Sequence, residues 1–225
     1  MKKKILCLFT SFALIAPLFG STVKATADSN NCKQCTNEPL TKEMIRSDKN
    51  NVVDLTITDE NFNVALEIAE SDLEETTIKN SDGILSSSYQ NELEAGVSKE
   101  AFVTYLKVLE SFNYEIQKGN LEVGNGLKDL KFKDQNPIKD IQYVKALGVN
   151  FYYLSNSDLG KVNKILGVGG TAAALAGALG VTVGLAAPIL ACAAFLGAGL
   201  NACNWFDKGI FIKKTASSWA CWPSK

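Results

Sequence analysis

Cysteine offers the most reactive side chains in this sequence, and their spacing limits the chemistry open to it. Six are present: Cys7, Cys32, Cys35, Cys192, Cys203 and Cys221. Cys32-Lys33-Gln34-Cys35 has the spacing of a thiol redox pair, but such pairs sit at a helix N-terminus after a buried strand. Here the flanks are Asn30, Asn31, Thr36 and Asn37. A four-cysteine zinc site would have to recruit Cys203 and Cys221, and no second Cys-x-x-Cys completes the pattern. A local disulfide, or a pair of exposed thiols, is the simpler reading of Cys32 and Cys35. Cys203 and Cys221 flank a short polar and aromatic segment, and closing a loop of that size stabilises a fold by about 3 kcal/mol in the chain-entropy account. We expect those two to be bridged. Cys192 stands eleven residues before Cys203, about 16 Å along a continuous helix. That is beyond disulfide reach unless Gly197 and Gly199 break the helix, so Cys192 reads as a small buried apolar residue.

Other chemistries lack their residues. There is no histidine, and Arg46 is the single arginine, which removes imidazole acid/base work, histidine metal ligation and bidentate arginine clamps. Gly167-Val168-Gly169-Gly170-Thr171 resembles a phosphate loop superficially, without the Lys-Ser/Thr of such loops or an acid some 20 residues on. Glu110, Glu115 and Glu122 could suggest a carboxylate pair for glycoside chemistry, but acids on the polar face of a helix are ordinarily solvated. These observations point to a chain that is not an enzyme and needs no metal or cofactor. Nucleic acid is also excluded, because residues 28–160 carry 23 acids against 13 bases and would repel a polyanion.

The elements that would position these residues differ between the two ends of the chain. Lys2, Lys3 and Lys4, the apolar run Ile5 to Gly20 and Ala25-Thr26-Ala27 have the order of an export signal, cleaved after Ala27 or, second, after Ala25. The alternative is an uncleaved N-terminal anchor. Cys7 lies at the start of the apolar run, so it is not a lipid-attachment cysteine. Residues 28–95 hold 15 acids and five bases with many Asn, Ser and Thr, the composition of a partly disordered stretch. Within it, Phe62, Ala65, Leu66 and Ala69 predict a short amphipathic helix over Asp59–Glu70. A longer helix is predicted over Ser98–Lys118, capped by Ser98, facing inward through Phe102, Leu106, Leu109 and Ile116 and stopped by Gly119. A further helix is predicted after Asn136-Pro137, with Ile138, Ile141, Val144 and Leu147 inward, ending at Gly148.

The last third is of another texture. Residues 161–225 hold one acid, Asp207, and six lysines, and Ile165–Phe206 is 42 residues without a charge, including eight glycines and twelve alanines. A membrane-spanning helix needs about 20 apolar residues, so Pro188 is expected to divide this run into a helical hairpin of Ile165–Ala187 and Ile189–Phe206. Ala176, Gly180 and Gly184 would form a flat strip for close helix packing, repeated by Ala193 and Gly197. The tail interleaves Trp205, Lys208, Lys213, Lys214, Trp219 and Trp222, a pattern suited to binding the headgroup zone of an anionic membrane.

In this arrangement, with Lys2–Lys4 and Ile5–Gly20 ahead of an acidic helical middle and the cysteine-bearing Gly/Ala-rich Ile165–Lys225, the chain resembles secreted bacteriocin precursors of Gram-positive bacteria. These include the sporulation-delaying kind and the larger exported ones. The resemblance implies a secreted toxin, freed from its pro-region by a processing protease and countered by a cognate immunity protein, that depolarises target membranes through contact with bacterial lipid. The reading divides the chain into a signal at 1–27, an acidic pro-region or N-terminal domain at 28–160 and a cationic membrane-active region at 161–225. The expected fold is mainly α: an acidic, partly disordered helical region followed by the apolar hairpin. The rival reading is a type I membrane-anchored surface protein with an acidic ectodomain and a short lysine-bearing cytoplasmic tail.

Overall fold

The structure, a computed structural model, describes residues 39–47, 51–124, 126–127, 130–132, 149–180, 200–214 and 219–225. Its centre is a mixed four-stranded sheet of β1 (Asn51–Leu55), β6 (Val149–Leu154), β7 (Ile210–Lys214) and β8 (Trp219–Pro223), in the order β1-β6-β7-β8. β1 lies parallel to β6, and β6/β7 and β7/β8 are antiparallel. The strands are rich in the β-branched and aromatic residues that suit a pleated surface, as in Asn150-Phe-Tyr-Tyr-Leu154 and Ile210-Phe-Ile212. Alternate residues serve two cores. Leu55, Leu154, Ile210, Ile212 and Cys221 face the larger one, whereas Phe151 and Phe211 join Ile45 of α1 (Lys42–Ser47) on the opposite face.

Helices cover the larger core. α2 (Asp59–Glu70) starts at Thr58 and α4 (Lys99–Gln117) at Ser98, and each cap side chain accepts the amide three residues on. α3 (Glu92–Ala95) precedes α4. After β6, Ser155 caps α5 (Asn156–Gly167), and a turn through Gly169 and Gly170 leads into α6 (Ala172–Ala178). α6 packs against α2 and α4. Two small hairpins complete the described fold: β2 (Ile78–Lys79) with β3 (Leu85–Ser86), and β4 (Leu121–Val123) with β5 (Leu130–Phe132).

The mainly α expectation is therefore corrected to α/β, because β6, β7 and β8 build a sheet from residues read as acidic pro-region and membrane-surface tail. Residues 51–95, expected to be only partly folded, form β1, α2, the β2/β3 hairpin and α3. The first arm of the expected apolar hairpin is not one helix: Ile165 belongs to α5, and α6 ends at Ala178. The boundary drawn between 160 and 161 falls inside α5, and residues from both sides share the larger core. The predicted helix after Pro137 and the export signal lie outside the described residues.

Candidate functional site

Two features use the C-terminal region, and one is buried. α6 reads Ala-Ala-Ala-Leu-Ala-Gly-Ala, and every residue in it is buried. Side chains this small let neighbouring backbones approach closely. A Cβ at Gly177 would sit 3.2 Å from Thr104 Cγ2 of α4, and one at Gly170 would fall 2.8 Å from Ala69 Cβ of α2. Thr171 occupies the N-cap position without capping its own helix. Glu74, just beyond α2, supplies the cap from 97 residues upstream. Its Oε2 accepts the Thr171 amide at 2.8 Å, and its Oε1 accepts the Thr171 hydroxyl and the amides of Ala173 and Ala174 at 3.0 and 3.1 Å. These amides are among the donors that a helix start leaves without intrahelical partners, and a carboxylate there also meets the positive end of the helix dipole.

Burial pushes the Glu74 carboxyl above the usual carboxylate range, while the Thr171 hydroxyl and the three amides pull it part of the way back. Tyr105 of α4 stands close by. Its phenol donates to Leu73 O at 2.9 Å, lies 2.7 Å from the Thr77 hydroxyl, and is pushed up to about 12 by its own burial, with the Glu74 charge adding to the shift.

The second feature is exposed. Between the 3-10 turn Leu200–Cys203 and β7, the chain presents Trp205 and Phe206 side by side, 42% and 45% exposed, with exposed Lys208 next to them. The turn below this tip is fixed by buried Asn204. The Asn204 amide nitrogen donates to Asn156 Oδ1 at 2.6 Å, and its Oδ1 accepts the Gly209 amide at 2.8 Å. Tyr153 donates to Lys208 O at 2.7 Å, and Asp207 takes a positive φ of 53° to complete the reversal. Gly209, at φ 101°, lies so close to β6 that a Cβ there would be 2.2 Å from Leu154 O.

The structure separates the residues expected to act together. Trp205 and Lys208 are at the exposed tip, whereas Trp222 packs edge-on against Phe151 at 5.6 Å and Lys213 lies over the same ring at 4.7 Å. Trp222 therefore packs against the smaller core, and Lys213 is a half-buried cation over its Phe151 ring. Lys214 and Trp219 are opposed in the β7/β8 register, and their side chains lie outside the description. Ala176 is buried in α6, but Gly180 sits in an exposed turn at φ 79°, so the two do not share a helical strip. Gly184, Ala193, Gly197, Cys32, Cys35 and Cys192 lie outside the described residues. The expected Cys203–Cys221 bridge is corrected as well: Cys221 is a buried thiol in β8, and Cys203 is a disulfide cysteine. Among the described residues no helix is long and apolar enough to cross a membrane, and no cluster of His, Cys, Asp or Glu could hold a metal.

Phe206 was legible in the sequence as one of the aromatics interleaved with lysines beside Trp205, whereas Glu74 was missed because it carried no local signal: its partners lie about a hundred residues away. Comparison with known protein families, with curated proteins and with solved structures finds no match to this chain.

Proposed function

We propose that the chain is a secreted antimicrobial precursor whose C-terminal region enters and depolarises the membranes of target bacteria, with bacterial lipid as its partner. The observation that carries this reading is the Trp205–Phe206 pair, held exposed on a fixed turn beside Lys208. Amphipathic and apolar rings next to a lysine suit the headgroup zone. Folding keeps the α6 part of the uncharged run out of water, because α6 is enclosed by α2 and α4. A single cut ahead of Val149 would leave β6 paired with β1 and α6 packed on α2, so release needs those contacts to open in addition to proteolysis.

The decisive experiment measures sedimentation of the chain with phosphatidylglycerol-containing vesicles, together with their depolarisation, for wild type and the double variant Trp205→Ala/Phe206→Ala. An aromatic side chain can bury 150–250 Å², and a little over two fifths of each ring is exposed. At about 25 cal/mol per Å² and with partial immersion, the pair is worth about 2–3 kcal/mol, so the variant should partition about 30- to 150-fold more weakly. Its thermal midpoint should not move. The protein should also be recovered from culture medium, and retention in the membrane fraction would favour the anchored reading. Vesicles that stay polarised with the whole chain and with the peptide Val149–Lys225 would remove the antimicrobial reading.

A further inference from the structure

We propose that Glu74 is an autoinhibitory latch: its contact with Thr171, Ala173 and Ala174 keeps α6 folded into the domain, and losing that contact opens residues 171–178 as a local unit while the rest of the fold stays closed. What the opened segment then does rests on the membrane reading above; the opening itself does not. Four observations carry the inference.

First, α6 has seven residues, well below the length at which a helix holds by itself in water. Second, its side chains supply little hydrophobic area, since Leu175 is the single large one among alanines and a glycine. Third, its N-terminal donors are satisfied from outside the helix. Thr171 makes no cap bond of its own, and the amides of Thr171, Ala173 and Ala174 all go to one buried carboxylate. Remove that carboxylate and three amides and a hydroxyl lose their acceptor in the core, which is costly because unpaired buried donors recover nothing from water. Fourth, the segment is bracketed by glycines in the left-handed region, Gly169 at φ 101° and Gly180 at φ 79°, and these can change conformation without the steric penalty other residues meet. The groups facing Glu74 are the Thr171 hydroxyl and the α6 amides, with Tyr105 of α4 as its titratable neighbour. Among the described residues the causes that act on it are burial and the bonds from Thr171, Ala173 and Ala174, so the latch depends on hydrogen bonds and burial.

Hydrogen exchange of the full chain tests the latch directly. Thr171→Val removes one donor and keeps the side-chain shape, and it should speed exchange of the amides of 172–178 about 10-fold. Glu74→Ala should speed it about 100-fold or more. Amides of Tyr105–Phe112 in α4 should change less than about 3-fold in both variants. Protection of 172–178 unchanged in Glu74→Ala, or an equal gain across α4, overturns the latch. If Glu74→Ala fails to fold, Thr171→Val alone decides between local and uniform opening. Leakage from phosphatidylglycerol vesicles is measured on the same samples. Local opening without increased leakage supports the latch and removes the membrane reading; increased leakage without local opening overturns the latch.

Discussion

Replacing Gly209 by alanine tests both the sheet and the tip it supports. The backbone there has φ 101°, a region that side-chain-bearing residues adopt at a cost of about 1–3 kcal/mol. The new methyl would also lie 2.2 Å from Leu154 O and 3.0 Å from Ser155 C and Cα. All three are backbone atoms, so no rotamer change relieves the contact. The β6/β7 junction must part, which weakens the Gly209 amide bond to Asn204 and the Gly209 carbonyl's bond from the Ser224 amide at 2.9 Å. Strain and lost bonds together come to about 3–5 kcal/mol, a large share of the ordinary stability of a domain. Gly180→Ala is the matched control. It has a similar φ of 79°, but its Cβ would meet nothing within 4 Å, so it should cost only about 1 kcal/mol. Urea unfolding followed by far-ultraviolet circular dichroism, at a slope of about 2 kcal/mol per molar, should show the Gly209→Ala midpoint lower by about 1.5–2.5 M and the Gly180→Ala midpoint lower by about 0.5 M. Equal losses in the two variants would refute the placement of Gly209 against β6.

Three further outcomes follow from the same geometry. Because burial raises the Glu74 carboxyl above its ordinary 4.5 in the fold, the extra stability that its protonation gives the fold is fully present below that value and is lost as pH rises through the raised one; unfolding free energies from pH 4 to 8 should show this fall in wild type and its absence in Glu74→Gln. Cys203 should appear in a disulfide-linked peptide on non-reducing digestion, whereas Cys221, as a buried thiol, should alkylate without reduction once the protein is unfolded; a Cys203–Cys221 peptide would contradict this assignment. Gly170→Ala would place a Cβ 2.7–2.8 Å from Ile165 Cγ2, Ile165 O and Ala69 Cβ, and calorimetry should register a loss of about 2–3 kcal/mol as α5 and α2 are forced apart.

Why some elements were legible and others were not comes down to the range of the interactions that decide them. α2 and α4 carry their own instructions: Thr58 and Ser98 accept the amides three residues on, and Gly119 sits at φ 73° where α4 stops. Their faces were read less well than their ends. Leu106, expected inward, is exposed and lines a shallow groove with Ile84 and Tyr114, while Tyr105 takes the core position because its phenol reaches Leu73 O and Thr77. The sheet was missed for a different reason. Trp222 and Lys213 have the composition of a membrane-surface tail when read in order, and they reach Phe151 only when β7 pairs with β6 and β8 with β7. The same holds for α6. An uncharged Gly/Ala run is equally suited to lipid and to a tightly packed interior, since both lack water and both reward close helix contact. What tips residues 172–178 to the interior is a carboxylate about a hundred positions earlier in the acidic region. That region was read only as an acidic pro-region or N-terminal domain. The structure adds one specific and dry contact, in which a single buried acid meets a row of uncharged amides, and this kind of restraint would persist at salt concentrations that screen a surface charge.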